Sequence, residues 1–254
     1  MTFDLHSAAA TWRDRARACA IDMVAPEAAR VDLTGMVPDA VRQAARLAVP
    51  AEALGDLVAL AAIVEELAAA SAAVALDAGG AALGIAGSDG SAGPALQWPG
   101  LRGADVDGLR AALAGDLRWD TTVTAALIGL GRAALELART ALREARDGGA
   151  PNAAAQTTLA DAATLVDAAR LLAWDAARSG RAGEVGAAAR AMARLQALDA
   201  VSLAVAAAEH ATGAEASRPG TPLERLRRDA ATLARVCGDA LPAQLAVAAG
   251  MRPA

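Results

Sequence analysis

The side chains best placed for acid–base or nucleophilic chemistry in this sequence lie from Asp120 onward. Among 254 residues there are two histidines, two cysteines and no tyrosine. Asp120 stands directly before Thr121 and Thr122, where a long helical pattern begins. A carboxylate there could take a proton from a bound substrate, or it could cap the helix by accepting backbone N–H groups. His210 follows Glu209 at the end of another helical run, where the helix dipole favours a cation. That placement suits a capping role, yet His210 is also the histidine best placed for a pocket. Cys237 precedes Gly238 and Asp239. A thiol is a poor substitute for a positioned carboxylate in proton abstraction. Arg235 projects from another side of the helix and does not activate it, so Cys237 reads as an inert, packed thiol. Asp120, His210 and Asp239 remain the candidates for acid–base work. Cys19 and Cys237 form neither a metal-ligand spacing nor a disulfide framework, and no metal is expected.

The elements that must position these residues are helical. An amphipathic run from Ser7 to Met23 is stopped by Pro26, and further helical patterns cover Asp39 to Leu47 and Ala53 to Leu76. Residues 77–118 are rich in Gly, Ser and Pro, carry no alternating β-branched run, and read as a linker. Asp120 reads as the N-cap of a helix extending to Arg146. Two more long helices follow, over 152–178 and 184–211. A last helix opens at Pro222, a residue suited to a first turn. Long helices with short loops make a four-helix bundle the natural architecture. The expected organisation is an N-terminal helical domain over 1–76, a linker over 77–118 and a bundle over 119–254.

Composition narrows the function classes. Hydrophobic residues make up 55% of the chain but aromatics only 2%. Alanine supplies most of the apolar content and favours helix over sheet, so the fold class is all-α. Every basic residue is arginine, yet the net charge is -5, which argues against a nucleic-acid footprint. Glu65 and Glu66 interrupt the most apolar stretch, so it reads as a buried helix and not a membrane span. The N-terminus lacks the pattern of a signal peptide, and a cytoplasmic location is expected. Trp98, Trp119 and Trp174 are expected to pack the core or an interface.

Several colinear segments resemble the acyl-CoA dehydrogenase family. They are "VAPEAARVDLTGMVP" (Val24 to Pro38), "IVEELAAASAAVAL" (Ile63 to Leu76), the run from Ile128 to Leu172, and "GAEASRPGTPLERLRRDA" (Gly213 to Ala230). The resemblance implies an N-terminal helical domain, a middle β-barrel and a C-terminal four-helix bundle. It also implies FAD as cofactor, an acyl thioester substrate, and a carboxylate that removes the α-proton while the flavin takes a hydride.

The departures are as informative. The 77–118 linker is too short for the β-barrel, so that domain is absent. The family's E-R-x-x-F-G-x-P-x-x-x-x-Q segment falls on 144–156, where Gly149, Pro151 and Gln156 persist. Its arginine is replaced by Ala145 with Arg146 one place on, and its aromatic by Gly148. The glycine turn reads Gly213, Ala214, Glu215, Ala216, Ser217, so only its first glycine remains. The catalytic glutamate's position is taken by Cys237. Members with the base at the start of the first bundle helix would place it at Trp119, beside Asp120.

Were FAD retained, Arg146, Gln156 and Gly213 would be its binding residues. The departures imply that it is lost. The expected role is a degenerate, accessory subunit of a flavin-bearing homologue, in a homo-oligomer or hetero-oligomer. One alternative is a flavin-independent isomerase, dehydratase or cyclase on acyl or polyketide-like intermediates, including acyl-carrier thioesters. Another is a retained FAD-dependent dehydrogenase.

Overall fold

Small side chains let helices approach closely, and this chain uses that freedom throughout. The structure, a computed structural model, describes residues 5–83, 117–148, 153–179, 183–213, 216 and 218–251. The N-terminal half contains α1 (Ser7–Cys19), α2 (Ala28–Thr34), α3 (Asp39–Leu47), α4 (Leu57–Ala70) and α5 (Ala72–Ala82). The second half contains α6 (Leu117–Gly148), α7 (Ala153–Ser179), α8 (Gly183–Thr212), α9 (Pro222–Cys237) and α10 (Ala240–Gly250). None of the described residues lies in a strand. Only residues 83–116 separate α5 from α6, which leaves no room for a middle β-domain.

Local caps set several helix starts. Asp56 caps α4 by accepting from the Val58 and Ala59 amides, each at 3.1 Å. Its other oxygen lies 2.5 Å from His6 Nε2, while His6 Nδ1 accepts from the Ala9 amide at the start of α1. The two helix N-termini are thereby joined. Ser71 and Thr221 cap α5 and α9 in the same way.

Two helix limits differ from the sequence expectation. α5 continues through Asp77, Gly79 and Gly80, which were assigned to the linker. Packing overrides the low helix propensity of glycine: a Cβ on Gly79 would meet Thr122 Cγ2 on α6 at 2.8 Å. α6 already begins at Leu117, so Asp120 lies in its first turn and is not the N-cap. Its carboxylate is directed to side chains of α8.

A single apolar cluster joins the two halves. It includes Leu60, Ile63 and Leu67 of α4, Trp119, Leu127 and Leu130 of α6, and Val166, Val201 and Leu233 from α7, α8 and α9. Trp119 is fully buried, as a core tryptophan should be. α6 and α4 cross at Gly129, where an added Cβ would come within 2.5 Å of the Glu65 carbonyl. A polar tie reinforces the join: Arg228 of α9 pairs with Asp32 of α2 and with Glu224. These residues belong to two of the resembling sequence segments. α6 and α8 are long and apolar enough to cross a membrane by length and composition, and both contribute many side chains to this shared core.

Candidate functional site

Asp120 is 7% exposed, and α8 supplies its partners. Arg194 donates Nη1 to Oδ1 at 2.6 Å, and Arg190 Nε lies 3.8 Å from Oδ2. One helical turn separates the two arginines, which places both on the face of α8 turned toward α6. Cys237, at the end of α9, shares this neighbourhood. Burial pushes its thiol up to about 12; Arg194 opposes that shift and Asp120 adds to it. Asp120 and Cys237, the two places where the sequence could put a base, are therefore brought together. The space beside Asp120, bounded by Thr124, Ala173, Ala177, Arg190 and Ala193, measures about 10 Å³. That is about the room needed by one water.

The other candidates stand apart. His210 is exposed in the last turn of α8. The rise of a helix puts about 24 Å between positions 194 and 210, beyond reach of the Asp120 pair. Asp239 is exposed and caps α10, accepting from the Leu241 amide at 3.0 Å. Gln156 is exposed in the first turn of α7 and borders a cleft of about 740 Å³ between α6 and α7. Gly213 keeps the left-handed conformation, at φ 77°, and its amide donates to the Glu209 carbonyl. Arg146 belongs to α6, but its side chain lies outside the described residues, as do Gly149, Pro151, Ala214, Glu215, Ser217 and Trp98.

Sequence reasoning missed a cluster of charge in the middle of the molecule. Glu65 and Glu66 are both buried on α4. Arg132 Nη1 lies 2.9 Å from Glu65 and 3.2 Å from Glu66, and Arg170 Nη2 lies 2.7 Å from Glu65. Arg17 grips Glu66 through two nitrogens, at 2.8 and 3.2 Å. Burial works against the Glu66 anion, but Arg17 and Arg132 outweigh it and hold the carboxyl below its usual range. Burial likewise opposes the charge of Arg170, while Glu65 raises its pKa. Two adjacent glutamates inside an apolar helix were the available signal: such anions fold inward only with cationic partners.

A second oversight is Asp229. The "ERLRRD" run reads as a solvated face with Arg228 and Asp229 in structural pairs, and Arg228 does pair. Asp229 instead is 3% exposed and its Oδ1 has no hydrogen-bond partner. Burial raises its pKa from 3.8 to about 7, opposed by Arg228.

Residues 107–239 match the family model for the acyl-CoA dehydrogenase C-terminal domain, just over half of the 254 residues. The chain belongs to the acyl-CoA dehydrogenase family. A solved structure of glutaryl-coenzyme A dehydrogenase in complex with glutaryl-CoA is similar, with a TM-score of 0.73 at 18% identity over 99% of this chain and 98% of that one. A chain from a structure of the electron transferring flavoprotein of Acidaminococcus fermentans gives 0.67 at 17% identity, covering 100% of both. At these identities the likeness establishes the fold alone. No curated protein matches the sequence.

The family implies FAD, and the described residues can be tested against it. At the phosphate end, Gln156 is accessible and Gly213 retains its turn conformation. At the other candidate end, the space bordered by Asp120 among the described residues measures about 10 Å³. Among the described residues no group of three or more His, Cys, Asp or Glu is arranged to hold a metal ion.

Proposed function

We propose that this chain is a non-catalytic, accessory member of acyl thioester metabolism, working in the cytoplasm as a subunit alongside a flavin-bearing acyl-CoA dehydrogenase. The observation that carries the reading is the filled base position. Cys237 stands there with its thiol pushed up to about 12, in the neighbourhood of an Asp120 that is held by Arg194 and has about 10 Å³ of free space beside it. A base must reach the proton it abstracts, at hydrogen-bond distance or through one water, and the space beside Asp120 has about the room of one water. The bundle and its tie to the N-terminal helices persist, which supports a retained scaffold role. On this reading FAD is not held by the chain itself.

The repurposed-enzyme reading needs an acid and a base facing one cavity. The α6–α7 cleft is lined by neither Asp120, His210 nor Asp239, so it lends those residues no support.

Co-expression with a full-length flavin-bearing homologue, followed by purification on a tag carried by this chain, tests the proposal. The homologue is expected to co-purify and to be active. Cys237→Ser and Asp120→Asn should each leave the kcat of the complex within about twofold, since neither group takes part in chemistry. Absence of any complex, or a loss of turnover of about a hundredfold in Asp120→Asn with folding intact, would overturn it.

A further inference from the structure

Asp229 stands one residue from the ion pair that ties α9 to α2. Arg228 donates Nη1 to Glu224 and Nη2 to Asp32 of α2, while its Nε is buried without a hydrogen-bond partner. Asp229 Oδ1 is likewise buried and unpartnered. A donor and an acceptor on adjacent residues of α9 are thus both unmet, which is costly out of contact with water. Elsewhere in the chain such neighbours do meet: on α1, Arg13 donates Nε and Nη2 to Asp14 Oδ1, at 3.1 and 2.9 Å. The same arrangement at Arg228 would take Nε, now unmatched, and Nη2, now held by Asp32.

Which anion holds Nη2 depends on the charge of Asp229. Protonated, Asp229 makes no claim on the guanidinium, and burial favours that form. Ionised, it is an anion only 3% exposed, and such a charge requires a cation paired directly with it. Of the charges around it, Arg228 and Arg225 on α9 favour the anion, while Asp32 on α2 and Glu224 on α9 oppose it. α6 and α8 also pack on α9, and they bring Asp120 and Arg194 to its far end at Cys237, about 12 Å along the axis from Asp229. α2 itself is slight: only Ala28 and Val31 of its seven residues are buried. A helix that short holds its shape through its contacts, so a lost ion pair is felt along its whole length.

We propose that Asp32, Arg228 and Asp229 form a pH-dependent clasp, in which an ionised Asp229 draws Arg228 Nη2 away from Asp32 and loosens α2 from α9. With Asp229 protonated the clasp is closed. Burial raises the carboxyl of Asp229 from 3.8 to about 7 in this closed form, and opening lets the anion pair, so the closed form holds the proton more tightly. Closure is therefore complete below about pH 4 and gives way as pH rises through about 7. The clasp is separate from Asp120 and Cys237 and does not depend on the accessory role proposed above.

Hydrogen exchange of the full chain, read by mass spectrometry at about pH 5 and about pH 8 and corrected for intrinsic exchange, tests the clasp. The amides of α2 should lose at least about tenfold in protection at the higher pH, while those of α4 keep theirs within about threefold. Asp229→Asn preserves the shape and cannot ionise, so its α2 should stay equally protected at both values. Asp32→Asn removes the anion on α2, so its α2 should exchange at the lower pH about as fast as the unsubstituted chain does at the higher. Four results would each overturn the proposal: equal protection of α2 at the two pH values in the unsubstituted chain, an undiminished loss in Asp229→Asn, an α2 as protected in Asp32→Asn as in the unsubstituted chain at the lower pH, or α4 losing protection in step with α2.

Discussion

Cys237 and Asp229 both lie on α9, and burial drives both toward their neutral forms. For Cys237 the consequence is chemical. A thiol pushed up to about 12 is almost wholly protonated at neutral pH, so alkylation by iodoacetamide in the native state should be at least about a hundredfold slower than in denaturant. Mass spectrometry of the labelled peptide measures this; rapid native labelling would contradict the assignment of Cys237 as a half-buried, protonated thiol. For Asp229 the consequence is thermodynamic. Its folded pKa, about 7, lies above its unfolded value of 3.8, so the native state holds the proton more tightly. The stability this contributes is complete below about pH 4 and is lost as pH rises through about 7. Asp229→Asn removes the charge at nearly constant shape. It should flatten the urea stability profile over that window and raise stability at pH 8 by up to about 4 kcal/mol. Cys237 was legible from the sequence because the residue type itself decides. Asp229 was not, because a charged run gives no sign of which member turns inward.

At the scale of elements, the α4–α6 crossing is fixed by two features that act together. Gly129 lets the helices touch, and Arg132, one turn on, reaches Glu65 and Glu66. Gly129→Ala places a methyl against the Glu65 carbonyl backbone, which cannot yield without parting the helices. A loss of about 1–3 kcal/mol in chemical denaturation is expected. Glu65→Gln leaves Arg170 short of its anion; the loss should be about 2–4 kcal/mol, less than for a fully dry pair because Arg170 is partly exposed. The helices themselves were readable from periodicity and breaks. Their ends were harder: α5 runs past the expected linker start because Gly79 is held against Thr122, a tertiary contact with no local trace. Likewise, Asp120 looked like a cap because its neighbours are threonines. Its actual partners, Arg190 and Arg194, lie far along the chain on α8.

At the scale of the molecule, the bundle and the N-terminal helices form one apolar core, tied further by Arg228 and Asp32. This is the family architecture without its middle domain, and the family's scaffold motifs supply those ties. Colinear motifs made the fold legible. The reacting site was legible only as a set of replaced residues. The small space beside Asp120 is bounded by alanines from α7 and α8 whose convergence no spacing announces. The most direct measurement of the central claim is the visible absorbance of the purified chain after saturation with FAD and removal of the unbound cofactor. The account predicts a colourless protein with no flavin band. A stable yellow protein, bleached on adding an acyl-CoA without oxygen, would contradict it.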